Sequence, residues 1–426
     1  MKWKTLALLT LIALSPVVTQ AATNAALSEQ IESVRRERET LLLEQQRLQA
    51  ELDKVSREGQ TLGTAVKSLD TTRKKLTADI KVTQSKISTT DLNIKLLENN
   101  VSTAERQISA HRRAIGQALQ TLFHYDARPL VLDLLASVSF SDVWQDRSEL
   151  EGLNTTLDDE VESLRVTKAA LTQEKVEKEK VKKEIISLNK ELTGQKEVIE
   201  ETKSAKEKLL AETKNKEALY QQMLKENMAR EREFEQELFN LESQLNLNID
   251  PSLVPTARSG VLSWPLDSIF ITQRFGKTVG SARLYASGSH NGVDFRATQG
   301  TRVLAMLGGV VEGMGNTDEE QGCGSYGRWV LIKHSNGLSS VYAHLSSSLV
   351  QVGQSVTNGQ AIGYSGGTPG VFGSGYSTGP HLHVGLFASQ GVVVRQFVES
   401  RGCKQVVVPI ADVKAYLDPL AYLPTL

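Results

Sequence analysis

Residues 328–345 read RWVLIKHSNGLSSVYAHL and decide how the C-terminal part of the chain folds. Two short runs in this stretch, 328–332 and 340–343, are rich in the aromatic and β-branched residues that are typical of strands. Similar short runs, separated by glycine-containing turns, continue through the C-terminal part of the chain. This pattern predicts an all-β domain over residues 261–426.

The residues before this domain have a different composition. Between residues 25 and 245 glycine is rare, and Lys, Glu, Gln and Leu dominate, which is typical of long helices. Apolar residues recur at seven-residue spacing from Ile31 to Leu122 and again from Leu150 to Ile199, which predicts supercoiled helices. We expect the first stretch to form one unbroken helix that pairs with the second as an antiparallel coiled-coil hairpin. Two parallel coils in a dimer are the alternative.

The predicted hairpin occupies residues 22–246. Its tip is expected near 125–147, where Pro129 follows the end of the heptad pattern and short helices would reverse the chain. Residues 247–260 contain prolines and show no periodicity, which predicts a linker to the β domain.

The N-terminus has the pattern of an export signal over residues 1–21. Lys2 and Lys4 precede a short apolar run, and small residues follow it at the expected cleavage site. A membrane anchor is the alternative, but this run is shorter than the roughly 20 residues that a membrane-spanning helix needs. The formal net charge of −1 does not favour a nucleic-acid partner.

The chain has two cysteines, Cys323 and Cys403, without the C-x-x-C spacing of a zinc cluster. In an oxidising compartment an even pair predicts one disulfide bond, and two buried free thiols are the alternative.

Histidines are concentrated in the predicted β domain. His290 and Asp294 lie four residues apart, and His344 ends a strand-like run. His381 and His383 are two residues apart, so in a strand their rings project from the same face. Two histidine nitrogens and one aspartate oxygen are a ligand set of catalytic zinc sites, in which water takes the fourth position.

The remaining histidines are predicted to have no catalytic role. His111 and His124 lie in the heptad region, where we expect them to pack within the helices. His334 precedes Ser-Asn-Gly and is expected as an exposed turn residue.

Together these residues resemble the LytM-type, or lysostaphin-like, zinc metallopeptidases. The resemblance covers residues 262–387 and returns at 418–423. It is carried by the stretches HNGVDF at 290–295, YAHLS at 342–346, VGQSV at 352–356, GQAIG at 359–363 and TGPHLH at 378–383.

This resemblance implies a role for each of five residues. His290, Asp294 and His383 would bind Zn²⁺, whereas His344 and His381 would flank the zinc-bound water, move its protons and stabilise the oxyanion. The implied reaction is hydrolysis of peptide cross-links in peptidoglycan. Two stretches, 318–324 and 391–416, depart from the family pattern as insertions.

The order of export signal, coiled coil and LytM-type domain also resembles EnvC-like proteins of the bacterial division site. EnvC-like activators have degenerate metal sites and switch on cell-wall amidases. Here all five family positions are filled, which favours an enzyme, with a non-catalytic amidase activator as the alternative. The resemblance implies a periplasmic or otherwise exported protein. Its implied partners are peptidoglycan, an inner-membrane division-complex protein bound through the coiled coil, and an amidase.

A wall hydrolase must be restrained, which predicts a regulatory contact. We expect an element of the chain to dock over the open zinc position, exclude substrate and leave the metal bound. A partner that grips the coiled coil, through the tip at residues 129–144, would then release this element by binding the open state better than the closed one.

Overall fold

The computed structural model describes residues 15–55, 57–58, 60–126, 140–245, 247, 249–278, 281, 288–323 and 325–426. It consists of two compact units, one formed by Met1–Arg38 and Ser85–Leu188 and the other by Glu39–Gln84 and Asn189–Leu426. Most of the predicted export signal (1–14) and of the predicted tip (127–139) lies outside the described residues. None of the helices within the described ranges is long and apolar enough to cross a membrane.

Four long helices precede the β domain, which confirms the predicted fold class. They are α1 (Ser15–Val55), α2 (Leu62–Asp126), α3 (Phe140–Thr213) and α4 (Glu217–Glu242). The prediction of one unbroken helix from Ile31 to Leu122 is wrong, because the chain leaves the helix after Val55. The side chain of Thr61 restarts it, since its Oγ1 accepts a hydrogen bond from the backbone nitrogen of Thr64 at 3.1 Å.

The first unit contains three antiparallel helical segments instead of the predicted two. Asn24 in α1 exchanges side-chain hydrogen bonds of 3.1 Å with Asn99 and Asn100 in α2. Lys175 in α3 forms a 2.8 Å ion pair with Glu105 in α2. His111 contacts Glu160 between the same two helices, in agreement with a packing role.

The second unit joins α3 to α4 through a sharp turn. Lys214 and Asn215 adopt left-handed backbone conformations, with φ angles of 47° and 55°. In the same unit, Lys206 of α3 donates hydrogen bonds of 2.6 and 2.7 Å to the carboxylate of Asp70 in α2. These contacts hold the unit's part of the two helices antiparallel.

The β domain is built on an antiparallel sheet in the order β1-β2-β9-β6-β5-β4-β7, with β3, β8 and β12 attached at its side. A separate pair, β10 and β11, lies in the predicted insertion. The strands are β1 (Ile271–Gln273), β2 (Val293–Arg296), β3 (Arg302–Leu304), β4 (Gly309–Asn316), β5 (Arg328–His334), β6 (Leu338–Ser348), β7 (Ser355–Val356), β8 (Ala361–Ser365), β9 (His381–Ala388), β10 (Val392–Gln396), β11 (Val407–Ala411) and β12 (Tyr416–Leu417).

Alternation along β2 and β9 separates the core from the candidate site. Val293 and Phe295 of β2 pack in the main hydrophobic core with Leu382 and Val384 of β9. Because successive strand residues project to opposite faces, the polar residues between them are presented together on the other face. The hydrophobic core therefore fixes the direction in which the predicted site residues point.

A disulfide joins Cys323 to Cys403, with a sulfur–sulfur distance of 2.05 Å. This confirms the predicted bond and excludes the alternative of two free thiols. The bond connects both predicted insertions and belongs to a buried cluster with Phe397, Val406 and other apolar residues of the second insertion.

The prediction that His334 is an exposed turn residue is wrong. Strand β5 extends through His334, and only 3% of this residue is exposed. Its Nδ1 contacts the carbonyl oxygen of Gly308 at 3.1 Å, and its Nε2 contacts Ser340 Oγ at 2.8 Å. These partners make it a structural histidine inside the sheet.

Candidate functional site

The pairing of β2 with β9 brings the predicted ligands together. Asp294 lies directly opposite His383 in this antiparallel pair, and His290 immediately precedes β2 in an isolated bridge with Gly276. Gly292 is required between them, because a Cβ at this position would lie 2.4 Å from the carbonyl oxygen of Val384.

Three side-chain atoms form a compact triangle. His290 Nε2 lies 3.2 Å from His383 Nδ1 and 3.4 Å from Asp294 Oδ1, and the third edge, from Asp294 Oδ1 to His383 Nδ1, is 2.9 Å. Ligands at zinc's bond length of about 2.0–2.1 Å in a tetrahedral arrangement are about 3.3 Å apart. Nitrogen and oxygen donors at these separations could therefore hold a metal ion.

The surroundings of the triangle prepare its atoms for metal binding. The carbonyl oxygen of Arg274, 3.2 Å from His290 Nδ1, can only accept a hydrogen bond, so Nδ1 carries the proton and Nε2 is left as the donor atom. Burial opposes ionisation of Asp294, yet the neighbouring His290 and His381 hold its pKa well below the usual value. The carboxylate is thus available as an anionic ligand.

His344 and His381 lie beside the triangle, with ring centroids 4.6 Å apart. His344 Nδ1 donates a hydrogen bond to the carbonyl oxygen of Ser374 at 2.9 Å, which leaves Nε2 as the basic nitrogen of the neutral ring. Burial, with the adjacent charges of His381 and His383, holds the pKa of His344 well below its usual value. The ring is therefore neutral and able to accept a proton.

His344 is held in an uncommon backbone conformation, with φ of 57°. Non-glycine residues in this region typically cost about 1–3 kcal/mol and occur often at functional sites. His381 is fixed differently, because its Nδ1 donates to the carbonyl oxygen of Gly379 at 2.8 Å. Its Nε2 lies 3.8 Å from Asp294 Oδ1. All five predicted site residues are thus brought together.

Helix α4 covers this site, a feature that sequence reasoning did not assign to it. Glu231, Phe234 and Glu235 line the same small cavity as Asp294, His344, His381 and His383, and its volume is about 20 Å³. A water molecule needs about 10–15 Å³ by this measure, so the cavity admits one water and no peptide. The described conformation is therefore closed to a peptide substrate.

Apolar and polar contacts hold α4 on the β domain. Phe234 packs edge-on against Tyr326 and Phe397, with centroid distances of 6.3 and 5.8 Å, and Leu238 joins the cluster around the disulfide. Glu237 accepts a hydrogen bond from Ser400 Oγ at 2.6 Å. The second insertion is therefore the surface that receives the covering helix.

Glu242 near the end of α4 makes this docking dependent on pH. Its Oε1 accepts hydrogen bonds from Ala411 N at 3.0 Å and Tyr416 Oη at 2.7 Å. Burial raises its pKa to about 8, and the nearby Glu235 and Asp412 add to the rise. A raised carboxyl pKa stabilises the docked state fully below the ordinary pKa of 4.5, and this contribution is lost as pH rises through 8.

The adjacent strands β2 and β9, together with His290 before β2, present a histidine–aspartate triad beside two further histidines on an antiparallel β domain, which is an arrangement suited to a metallopeptidase. Residues 288–396 match peptidase family M23. The chain therefore contains an M23 peptidase domain over these residues, in agreement with the LytM-type resemblance.

Three similar proteins illustrate the extent of the match. The DD-carboxypeptidase/endopeptidase Mpg of Neisseria meningitidis serogroup B is 36% identical over 143 residues, which are 34% of this chain and 27% of the relative. The peptidoglycan DD-endopeptidase ShyA of Vibrio cholerae is 42% identical over 97 residues, 23% of this chain and 20% of the relative. The crystal structure of a point mutant of the catalytic domain of the prophage-encoded M23 protein EnpA from Enterococcus faecalis has 30% identity and a TM-score of 0.24, covering 29% of this chain and 82% of that one.

The chain thus spans only about a quarter or less of the length of these curated relatives. The family match lies within the β domain, and the helices α1 to α4 lie outside it.

Proposed function

We propose that this chain is an exported zinc metalloendopeptidase that hydrolyses peptide cross-links of peptidoglycan during cell division or wall remodelling. The observation that carries the proposal is the convergence of three metal-binding side chains and two further histidines on one face of the β2–β9 pair. The names of the Neisseria and Vibrio relatives, an endopeptidase and a peptidoglycan endopeptidase, support this substrate class. Export rests on the signal pattern of residues 1–21.

His290 Nε2, Asp294 Oδ1 and His383 Nδ1 would hold the zinc ion, since their separations fit tetrahedral coordination. Bound there, zinc would supply a Lewis acid and a water acidified towards neutral pH. The carbonyl oxygen of Arg274 keeps His290 in the tautomer that coordination needs.

His344 and His381 would divide the proton transfers. His344 is neutral and its Nε2 is unprotonated, so it would accept the proton of the attacking water. His381, with Nδ1–H fixed by Gly379, would present Nε2 towards the scissile group, stabilise the oxyanion when protonated and return a proton to the leaving amine.

The enzyme would be latent in the described conformation. Helix α4 leaves room for a single water at the site, so hydrolysis would require the helix to leave the β domain. An inner-membrane division-complex protein that binds the coiled coil would favour the released state. The cover in the described conformation is α4, which precedes the β domain, and the second insertion is the surface that receives it.

Digestion of purified peptidoglycan tests the proposal. The zinc-loaded full-length chain without residues 1–21 is compared with its Phe234→Ala variant, in which the cover is weakened, each with and without a chelator. We expect the Phe234→Ala variant to release new amino groups from the peptide part of peptidoglycan and the parent to release fewer. Samples with chelator, and samples of the His381→Ala variant, should release none. His111→Ala, which alters a histidine of the other compact unit, is the matched histidine control. If no cross-link is cut in any sample while a cell-wall amidase is stimulated, the chain is an EnvC-like activator instead.

A further inference from the structure

A second and larger cavity, of about 320 Å³, adjoins the proposed metal site. On the β domain it is lined by Asp294, His381, Thr272, Gln273 and Arg296, and its opposite wall is formed by helix residues that include Val55, Thr64, Leu69 and Tyr220. Because helices form the opposite wall, the cavity takes no extended peptide while they are docked, and its β-domain wall becomes accessible to substrate once they leave. The cavity therefore shows which groups a substrate would meet next to the reacting bond.

Arg296 occupies a fixed position relative to the catalytic residues. It follows Asp294 by two residues in β2 and thus projects from the same face. In the β2–β9 pair it lies directly opposite His381. Its guanidinium carbon lies 3.8 Å from the centroid of the Phe270 ring, a stacked contact that restricts its motion.

The guanidinium of Arg296 has no anionic partner among the described residues: no ion pair or side-chain hydrogen bond is formed there. Among the described residues that line the cavity, Asp294 is the acidic side chain, which is assigned to the metal, and Arg296 is the basic one. Gln273 lies opposite Asp294 in the β1–β2 pair and lines the same cavity. Its amide nitrogen is buried without a hydrogen-bond partner in the described structure.

We propose that Arg296, with Gln273 beside it, binds a free carboxylate of the peptide substrate close to the scissile bond. This inference rests on the proposed peptidase function and specifies its substrate. A guanidinium binds a carboxylate through two parallel hydrogen bonds, and the amide nitrogen of Gln273 provides a further donor. Cross-links composed of glycine alone carry no such group and would leave both donors unpaired.

The position of Arg296 limits where the carboxylate lies along the substrate. Two residues of a strand span about 6.6 Å, so the guanidinium is about that far along β2 from the ligand Asp294. An extended peptide advances about 3.3–3.6 Å per residue, which places the carboxylate within two residues of the scissile bond. In the simplest substrate, this carboxylate is attached to the carbon that bears the nitrogen of the scissile bond.

Two synthetic cross-linked peptides test this assignment, one with that carboxylate free and one with it converted to the carboxamide. In the full-length Phe234→Ala background, kcat/KM should favour the free carboxylate by about 10- to 150-fold, the value of charged hydrogen bonds. Arg296→Gln should reduce this ratio to near one by slowing only the carboxylate peptide. Arg302→Gln, which alters an arginine outside the cavity, should leave the ratio unchanged.

Binding of the two amine products to the same proteins, measured by calorimetry, separates this assignment from the peptidase proposal. A preference for the free carboxylate that Arg296→Gln abolishes supports the assignment even if neither peptide is cut, a result that would refute the peptidase. Equal kcat/KM or equal affinity for the two forms in the Phe234→Ala protein overturns the assignment, as does a preference that survives Arg296→Gln.

Discussion

Truncation of Phe234 should activate the enzyme by undocking α4. This side chain is only 4% exposed and packs on Tyr326 and Phe397 beside the proposed catalytic residues. Phenylalanine-to-alanine changes at buried positions cost about 3–5 kcal/mol. We use the lower limit, because α4 is packed on the β domain from one side only. A loss of about 3 kcal/mol raises the ratio of undocked to docked helix about 100-fold.

The initial rate of peptidoglycan digestion should rise with that ratio, up to about 100-fold, until most molecules are undocked. Phe239→Ala is the matched control, because Phe239 lies on the same helix with 39% of its surface exposed. Hydrogen exchange of the α4 amides reports the undocking independently of activity, and zinc content should stay unchanged. The reasoning is refuted if Phe234→Ala accelerates α4 exchange without accelerating digestion, or if Phe239→Ala activates equally.

Three further outcomes are expected. His383→Ala should lose both zinc and activity, whereas His381→Ala should keep most zinc and lose activity; metal analysis beside digestion assays would contradict this if both variants lost zinc equally. Glu242→Gln should reduce the rise of activity between pH 5 and about 8 that release of α4 produces in the parent, since glutamine keeps the acceptor oxygen and cannot ionise. Part of the rise should remain, because burial also raises the pKa of Glu231 to about 8 and that of Glu235 to about 7 on the same helix. An unchanged pH–rate profile would exclude this role of Glu242. Cys403→Ser should lower the free energy of unfolding by about 2–5 kcal/mol, because it removes the disulfide of the insertion that receives α4, and it should increase digestion. The melting temperature is the second measurement. A variant that is less stable but equally latent would show that the disulfide does not support docking.

The site could be predicted from the sequence because local spacing determines its geometry. Residues two apart in a strand share a face whatever the rest of the fold, so His381 and His383 had to project together. Spacing does not show that His290 and Asp294 lie on the neighbouring strand. That expectation came from the resemblance to a known family. No role was predicted for Arg296, because the sequence does not indicate that a cavity lies beside this side chain.

The break between α1 and α2 was missed for a physical reason. Val55 and Leu62 are seven residues apart, so the apolar repeat continues across the turn as if the helix were intact. The docking of α4 on the β domain could not be predicted from the sequence either. Phe234 and Leu238 form an apolar face that fits a coiled coil or the β domain, and only the shape of the disulfide-linked insertion decides between them.

The left-handed turn at Lys214 and Asn215 stores backbone strain between α3 and α4. A left-handed lysine costs about 1–2 kcal/mol relative to right-handed helix, and asparagine costs less, so the bent connection opposes α4 docking by about that amount. A straight helix running from α3 into α4 would release that energy and add the backbone hydrogen bonds that the turn interrupts. This strain lowers the free energy that a partner pulling on α3 must supply to release α4 and expose the proposed metal site.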